Sequence, residues 1–388
     1  MGASFALDLH QRCPNLSVCI VEAVAIDDLD NQPSFDARST ALSWGTRAIY
    51  ESMGLWDQLQ EVVTPIEEIQ VSDRGHFGVT HLHHSEQATE ALGYVIENRN
   101  LGKVLNDRLL SSDAIDLLAP ARIKSAKPLA NTMAVTVESE KQRFELTAEL
   151  VVLADGGRSP ICKQLGIEHN KEDYGQSALI TNIGVQLSHK NRAFERFTDS
   201  GPLAVLPLQS FDGCARCSLV WTVKSGSEQS LLECDDAEFI EKLSELFGSR
   251  LGDISKLGQR YSFPLILSEA REQIRPHLVL LGNVAHTLHP VAGQGLNLAL
   301  RDSACLSRTL AEAAETQKSI GSMEVLQNYL DQQTPDQHQS ILFTDQMTKL
   351  FSSNNAGRVL ARKMGLLSLD LMPALRKEFA RQAMGTQS

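Results

Sequence analysis

Residues 281–302 read LGNVAHTLHPVAGQGLNLALRD, and the interpretation of this stretch decides the fold. It follows Leu278-Val279-Leu280-Leu281, an apolar run of the kind that forms a buried strand. Gly282 and Asn283 lead into a loop with Pro290, Gly293 and Gly295, and helical spacing resumes at LNLALRD. Strand, glycine loop and helix together make a place where backbone can approach a ligand, because glycine carries no side chain to hold the ligand off. The helix opening near Gly295 points free N–H groups and the positive end of its dipole into the loop, which suits an anionic or electron-rich group. A tight turn capping a core helix would use the same residues, so other parts of the chain must decide.

The 388 residues are 42% hydrophobic and 22% charged, enough for a large core in two domains or in one domain with a big insertion. No stretch approaches the ~20 uninterrupted apolar residues of a membrane span. The opening MGASFALDLHQR lacks the basic segment, apolar core and cleavage site of a secretory signal, so a cytoplasmic protein is expected. A net charge of −12 argues against a broad basic face, and no nucleic-acid partner is expected. Seven cysteines scattered from Cys13 to Cys305 do not suggest a secreted disulfide framework. Cys214 and Cys217 form a CxxC without a second pair, on a strand that would point them to opposite faces. His81, His83 and His84 sit in a short polar segment with no acidic or cysteine partner nearby, and a solvated loop is expected. No metal site is assigned.

Toward the N-terminus, residues 3–12 carry a helical pattern and LSVCIVE (16–22) reads as a buried strand ending in an acid. In a dinucleotide-binding βαβ unit such an acid lies about 20 residues beyond the glycine fingerprint and takes the ribose hydroxyls. Glu22 has that relation to Gly2, but Gly2 can only be the last glycine of a G-x-G-x-x-G. The first strand and the two earlier glycines are therefore expected to be absent, leaving a gap between the second and fourth strands. On this reading the start is internal to a longer reading frame. An ordinary αβ hairpin with an acidic strand end explains Gly2 and Glu22 equally well.

Residues 35–59 read as an arginine-bearing loop and then a helix ending near Gly54, and 69–78 as strand, turn and strand. Residues 94–110 place Arg99 at the start of an amphipathic helix, where a solvated or capping arginine is the plain alternative. Residues 132–153 give a hairpin and then a buried strand that ends at Asp155 and Gly156, the position where open α/β sheets bind ligands. From about 175 to 270, SALITNIGVQL, AFERFTDSGPLAVLPL, CSLVWTV and RYSFPLIL are strand candidates, interrupted by the helical DDAEFIEKLSELFG. They suggest a mostly antiparallel sheet inserted between nucleotide-binding parts and forming one wall of a substrate pocket. The expected division is 1–70, 92–165 and 271–320 for the cofactor domain, 71–91 and 166–270 for the sheet, and 321–388 for a helical segment broken at Pro335, Gly357 and Pro373. That segment ends with Arg358, Arg362, Lys363, Arg376, Lys377 and Arg381 among apolar residues. It is a candidate for peripheral contact with the inner face of a membrane, or a packed helix with a solvated basic face.

In order and spacing, Glu22, DARSTALS around Arg38, ENRNLG around Arg99, LADG at 153–156 and the 281–302 stretch resemble the flavin-dependent aromatic hydroxylases related to p-hydroxybenzoate hydroxylase. VSDRGHFG (71–78), AFERFTDSGPLAVLPL (193–208) and TLHPVAGQGLNLALRD (287–302) carry a finer resemblance to the ubiquinone-biosynthesis branch. The likeness spans essentially the whole chain. It implies an α/β, Rossmann-like FAD/NAD(P)-binding fold with an inserted substrate sheet and C-terminal helices, one FAD, and NADPH or NADH as a transient electron donor. Gly2 and Glu22 would meet the adenosine end, Glu22 at the ribose; Arg38 and Arg99 would flank the cofactor. Asp155 with Gly156 would form the motif shared by FAD and the nicotinamide donor. Gly282 and Asn283 would open a loop around the ribityl chain and isoalloxazine, with Pro290, Gly293, Gln294, Gly295 and Asn297 nearest the ring. Asn283 departs from the family's usual Asp, keeping an acceptor without charge assistance.

The implied reaction is hydroxylation of a prenylated methoxyphenol by dioxygen through a flavin hydroperoxide, chemistry that belongs mostly to the cofactor. No catalytic residue is assigned; Pro290, His286 and His289 are the ring-proximal candidates, and the histidines also suit a structural role in the loop. Other quinone-biosynthesis proteins are candidate partners. Two other classes share the same blocks: a flavoprotein with epoxidase, halogenase or prenyl-lipid reductase chemistry, and a non-catalytic member of a biosynthetic assembly.

Overall fold

The apolar run before the glycine loop forms a buried strand. Leu278–Leu280 pairs in parallel with Val151–Leu153 and antiparallel with Ile274–Arg275. Both faces are covered, as expected of parallel strands. Val151, Leu153, Leu278 and Leu280 face a cluster with Met133, Val135 and Val137 of the three-stranded sheet Ala121–Pro128, Met133–Ser139 and Arg143–Ala148. Val152, Val279 and Leu281 face the other way, onto Phe5 and Leu9 of helix Gly2–Arg12 and onto Leu306 and Leu310 of helix Gln294–Glu315.

The computed structural model describes residues 1–26, 38–73, 79–140, 142–289 and 293–351, with 377, 381, 384 and 385. Pro290, residues 74–78 of VSDRGHFG, the expected breaks at Gly357 and Pro373, and Arg358, Arg362, Lys363 and Arg376 of the basic segment lie outside the described residues.

Val18–Val21 pairs in parallel with Ile115–Leu118. Among the described residues this pair shares no hydrogen-bonded ladder with the Val151–Leu153 sheet. Helix Gly2–Arg12 bridges the two pieces by packing, because Val18 joins Phe5, Leu9 and Val279 in one cluster.

A nine-stranded sheet forms the other half. Its main path runs His286–Thr287, Tyr261–Ala270, His169–Val185, Cys214–Lys224, Gly201–Phe211, Arg192–Thr198, Glu68–Asp73 and Val79–His83, with Ile254–Leu257 paired off His169–Val185. One face is sealed by Leu231 of helix Glu228–Glu233 and by Phe239, Leu243 and Phe247 of helix Asp236–Phe247. The other face looks toward Ile66, Val95 and Ala41 of a small antiparallel sheet, Ser39–Ser43, Gly93–Glu97 and Val63–Ile66. His286–Thr287, from the glycine stretch itself, pairs onto the large sheet's edge at Ser268 and Glu269.

Three expectations change. Residues 39–43 are a strand rather than a loop, because they pair with Gly93–Glu97 along their whole length, and the helix begins only after Ser43, whose Oγ accepts from Thr46 N–H at 3.2 Å. Helix Met323–Phe351 continues through Pro335. A mid-helix proline costs about 3 kcal/mol, offset here by bonds that dock the next turn: Arg301 to Asp336 at 2.6 Å and Gln337 to Asp302 at 3.0 Å. The histidine trio does have an acidic partner, since strand pairing sets His81 Nδ1 2.5 Å from Glu68 Oε1. No group of three or more His, Cys, Asp or Glu among the described residues is placed to hold a metal ion.

Candidate active site

One asparagine fixes the far end of the glycine loop. Asn297 is 1% exposed; its Nδ2 donates to the carbonyls of Ala41 (2.9 Å) and Gly293 (2.8 Å), and its Oδ1 accepts from Ser43 N–H (2.9 Å) and the Thr46 hydroxyl (2.7 Å). Both donors and both acceptor sites are spent. Asn297 therefore clamps the loop to the Ser39–Ser43 strand, and its side-chain bonds are made within the protein. Gly293 has φ 62°, and a Cβ there would stand 3.1 Å from Ala41 Cβ, so the close approach requires glycine. It precedes helix Gln294–Glu315 with no side-chain cap, and the space where Gly295 would carry a Cβ is open. Gln294 is buried beside it. An uncapped helix start facing open space suits an electron-rich group.

The two loop histidines are built in differently. His286 Nε2 lies 2.5 Å from Asp302 Oδ2, both side chains are 1% exposed, and Asp302 Oδ1 accepts from Gln337, which exchanges bonds with Gln273. His286 Nδ1 is buried without a hydrogen-bond partner among the described residues, an orphan that a bound group could satisfy. His289 is buried with its ring edge-on to Tyr174 at 5.3 Å, and desolvation lowers it to about 4, so it is neutral near pH 7.

At the other end, Gly2, Glu22 and Gly282 come together around Met1, at the start of helix Gly2–Arg12. A Cβ on Gly2 would stand 3.6 Å from Ala154 Cβ, and one on Gly282 would stand 3.2 Å from Met1 Cγ. The Met1 amine, whose pKa burial lowers, feels the charge of Glu22 in the opposite direction. Glu22 follows the Val18–Val21 strand and accepts from Val24 N–H at 3.0 Å. Asp155 shapes the next turn by accepting from Gly157 N–H (2.8 Å) and Ser159 N–H (3.0 Å), leaving Gly156 exposed at φ 67°. The Asn283 side chain is exposed, and its carbonyl accepts from Thr287 Oγ1 at 2.9 Å.

Both arginines sit where the cofactor half meets the large sheet. The Arg38 carbonyl accepts from Asn98 N–H at 2.9 Å, and its guanidinium lies 5.1 Å above the Phe263 ring. Arg99 is turned to solvent, 56% exposed, with Glu97 at 3.5 Å; Glu97 also holds Arg216 of the large sheet at 3.0 Å. Sequence reasoning passed over Ala41, Ser43, Thr46, Phe263 and Asp302. Only Ser43 and Thr46 had a local signal, a capping residue three positions before its partner.

The arrangement fits FAD: an acid at a strand end, a turn with an exposed glycine, and a glycine loop running to an uncapped helix start, with one buried orphan nitrogen on the way. Residues 16–340 match the family model described as FAD binding domain, and the chain belongs to that family of flavoproteins. Ubiquinone hydroxylase UbiL of Rhodospirillum rubrum is 34% identical over 371 residues, 94% of this chain and 84% of that protein. The 3-demethoxyubiquinol 3-hydroxylase of Escherichia coli is 28% identical over 394 residues, 99% of this chain and 96% of that protein. Among solved structures, p-nitrophenol 4-monooxygenase PnpA of Pseudomonas putida aligns with a TM-score of 0.79 at 15% identity, over 100% of this chain and 96% of that one, a likeness of fold. The expected class, an FAD-binding α/β fold with an inserted sheet, holds.

Proposed function

We propose that this protein is an FAD-dependent, NAD(P)H-consuming monooxygenase that hydroxylates the ring of a prenylated methoxyphenol in ubiquinone biosynthesis. The observation that carries the reading is the position of Ala41. It meets Gly293 and Asn297 of the glycine loop and also packs with Ala193, Leu206 and Leu208 of the large sheet, so loop and sheet share a wall. Glu22 would take the adenosine ribose, Asp155 with Gly156 the middle of the cofactor, and Gly282 to Gly295 the ribityl chain and ring. The start of helix Gln294–Glu315 would stabilise negative charge on the reduced ring. When bound, FAD reduced by NADPH or NADH activates dioxygen and supplies the oxygen atom. The chain's own tasks are to orient an electron-rich phenol and to keep water away.

No helix among the described residues is long and apolar enough to cross a membrane. Peripheral contact through the basic C-terminal segment remains part of the proposal and would show as co-sedimentation with anionic vesicles, lost when Arg358, Arg362 and Lys363 are replaced by Gln. The deciding experiment supplies the full chain with FAD, NADPH or NADH, and a geranylated 2-methoxyphenol. Stoichiometric flavin and a product carrying one added oxygen on the ring are expected. An epoxidised, halogenated or chain-reduced product would move the protein to another flavin chemistry, and a chain that takes up no flavin would overturn the reading altogether.

A further inference from the structure

Strand Arg192–Thr198 alternates between two environments. Phe194 lies in the core beneath helix Asp236–Phe247, whereas Ala193 points toward Ala41 and Phe197 toward Val71 and Met347. Period-two alternation puts Glu195 on the second face. Strand register sets it in a row with Val71, Ala204, Val220, Ile180 and Tyr261, one residue from each neighbouring strand. On the opposite face Leu179, Leu203 and Leu219 are 0% exposed. Yet Glu195, Ile180, Ala204, Leu206, Val220 and Phe263 keep partial exposure at the middle of the sheet. Central residues with accessible surface border a crevice, and the same face carries Ala193 and Leu206, which pack with Ala41 where it meets Gly293.

Glu195 is the acid in a mostly apolar row, with the polar pair Asn182 and Ser218 one row further along the same face. Among the described residues it has no hydrogen-bond or ion-pair partner. Charged groups on the surrounding elements do not supply one. Asp73 follows Val71 on the next strand, Arg196 faces the other way toward Ser72, Arg38 stands over Phe263, and Asp345 and Lys349 of the long helix pair with each other. Burial alone lifts the Glu195 carboxyl from 4.5 to about 7. An acid left unpartnered in an apolar crevice is costly, and such groups collect where a ligand completes them.

Resting on the function proposed above, we infer that Glu195 is the catalytic base that accepts the hydrogen bond, and then the proton, of the substrate's phenolic hydroxyl. The phenolic O–H bond breaks, a carboxyl O–H bond forms, and the freed electron pair enriches the ring for oxygen transfer. No electron passes to the protein, and the proton returns to the same oxygen in the product. A base that titrates near working pH is matched to that task.

Glu195→Gln keeps the shape and removes the base. Native protein and variant, each loaded with FAD, are compared for flavin content, for product from a geranylated 2-methoxyphenol across pH, and for the spectrum of bound 4-nitrophenol, whose phenolate is yellow. The variant is expected to keep its flavin, to form product about 10²–10³-fold more slowly, to lose the acidic limb of the kcat profile, and to bind 4-nitrophenol without the phenolate shift. Product formation at the native rate with an unchanged pH profile would overturn the assignment. If the variant fails to fold, the native protein decides alone, because bound 4-nitrophenol must then titrate differently from the free probe, and identical titration defeats the idea. Native protein that binds no flavin would sink the hydroxylase reading instead, and the 4-nitrophenol titration would still judge Glu195.

Discussion

The glycine loop and the crevice face of the large sheet treat polar groups in opposite ways. In the loop, side-chain polarity is consumed internally: Asn297 makes four bonds to protein, and His286, Asp302 and Gln337 bond one another. What remains for a ligand is mainly backbone, at Gly293, Gly295 and the helix start, with His286 Nδ1 and the exposed Asn283 side chain beside it. On the sheet the backbone is consumed by strand pairing and the side chains are left over, mostly apolar, with Glu195 a carboxylate that has no partner among the described residues. Backbone donors suit a cofactor that stays, because their geometry is fixed by the fold. A lone titratable side chain suits a substrate that must be chemically changed. Substitutions of the loop's internally bonded side chains should therefore cost stability and flavin together, whereas those on the sheet should alter turnover and pH response with flavin retained.

The largest effect should come from Asn297→Ala. It strands Ser43 N–H, the Thr46 hydroxyl and the carbonyls of Ala41 and Gly293 in a dry interior, at about 1–3 kcal/mol for each group left unsatisfied and less than the sum overall. A loss of about 3 kcal/mol or more in urea unfolding, with flavin content falling in parallel, is expected. Normal stability with full flavin would erase the contrast between the two regions.

A smaller effect of opposite sign belongs to Glu195→Gln. The folded carboxyl binds its proton more tightly than the unfolded one, so the native protein loses stability as pH rises from 4.5 to about 7 and stays penalised above that. Removing the charge should raise stability at pH 8 by on the order of 1–2 kcal/mol, discounted for partial exposure, and change nothing near pH 4. Thermal unfolding of the two proteins at the two pH values measures it. A gain that is the same at both would mean that packing, not ionisation, is responsible.

Much of this division was legible in the sequence because its signals are local. The apolar run before Gly282, the glycine spacing and the acid at Glu22 each announce themselves within a few residues. The remainder depends on partners distant in the chain. Residues 39–43, STALS, show no alternation of apolar and polar groups, and only pairing with Gly93–Glu97 makes them a strand. Pro335 reads as a helix end until Arg301 and Asp302 are seen to hold the turn beyond it. The segment FERFT carries a family resemblance, but its two phenylalanines, three apart, obscure the alternation that sends Glu195 into the crevice. Asp302 looks like one more polar helix residue until the fold buries it against His286.

The smallest expected effect tests whether an exposed side chain of the loop matters. Asn283 is exposed and uses only its carbonyl within the protein, so Asn283→Asp disturbs no internal bond and should shift folding stability by less than about 0.5 kcal/mol. A carboxylate accepts a hydrogen bond roughly twice as strongly as an amide oxygen. If a ribityl hydroxyl donates to this position, flavin should bind about 3- to 10-fold more tightly in the variant by equilibrium dialysis, with the gain worth about 1 kcal/mol. Weaker binding would place the side chain beside negative charge, nearer the pyrophosphate than the ribityl chain. That result would move the junction between the two ends of the cofactor from Asn283 toward Gly293 and shorten the part of the loop that backbone alone must hold.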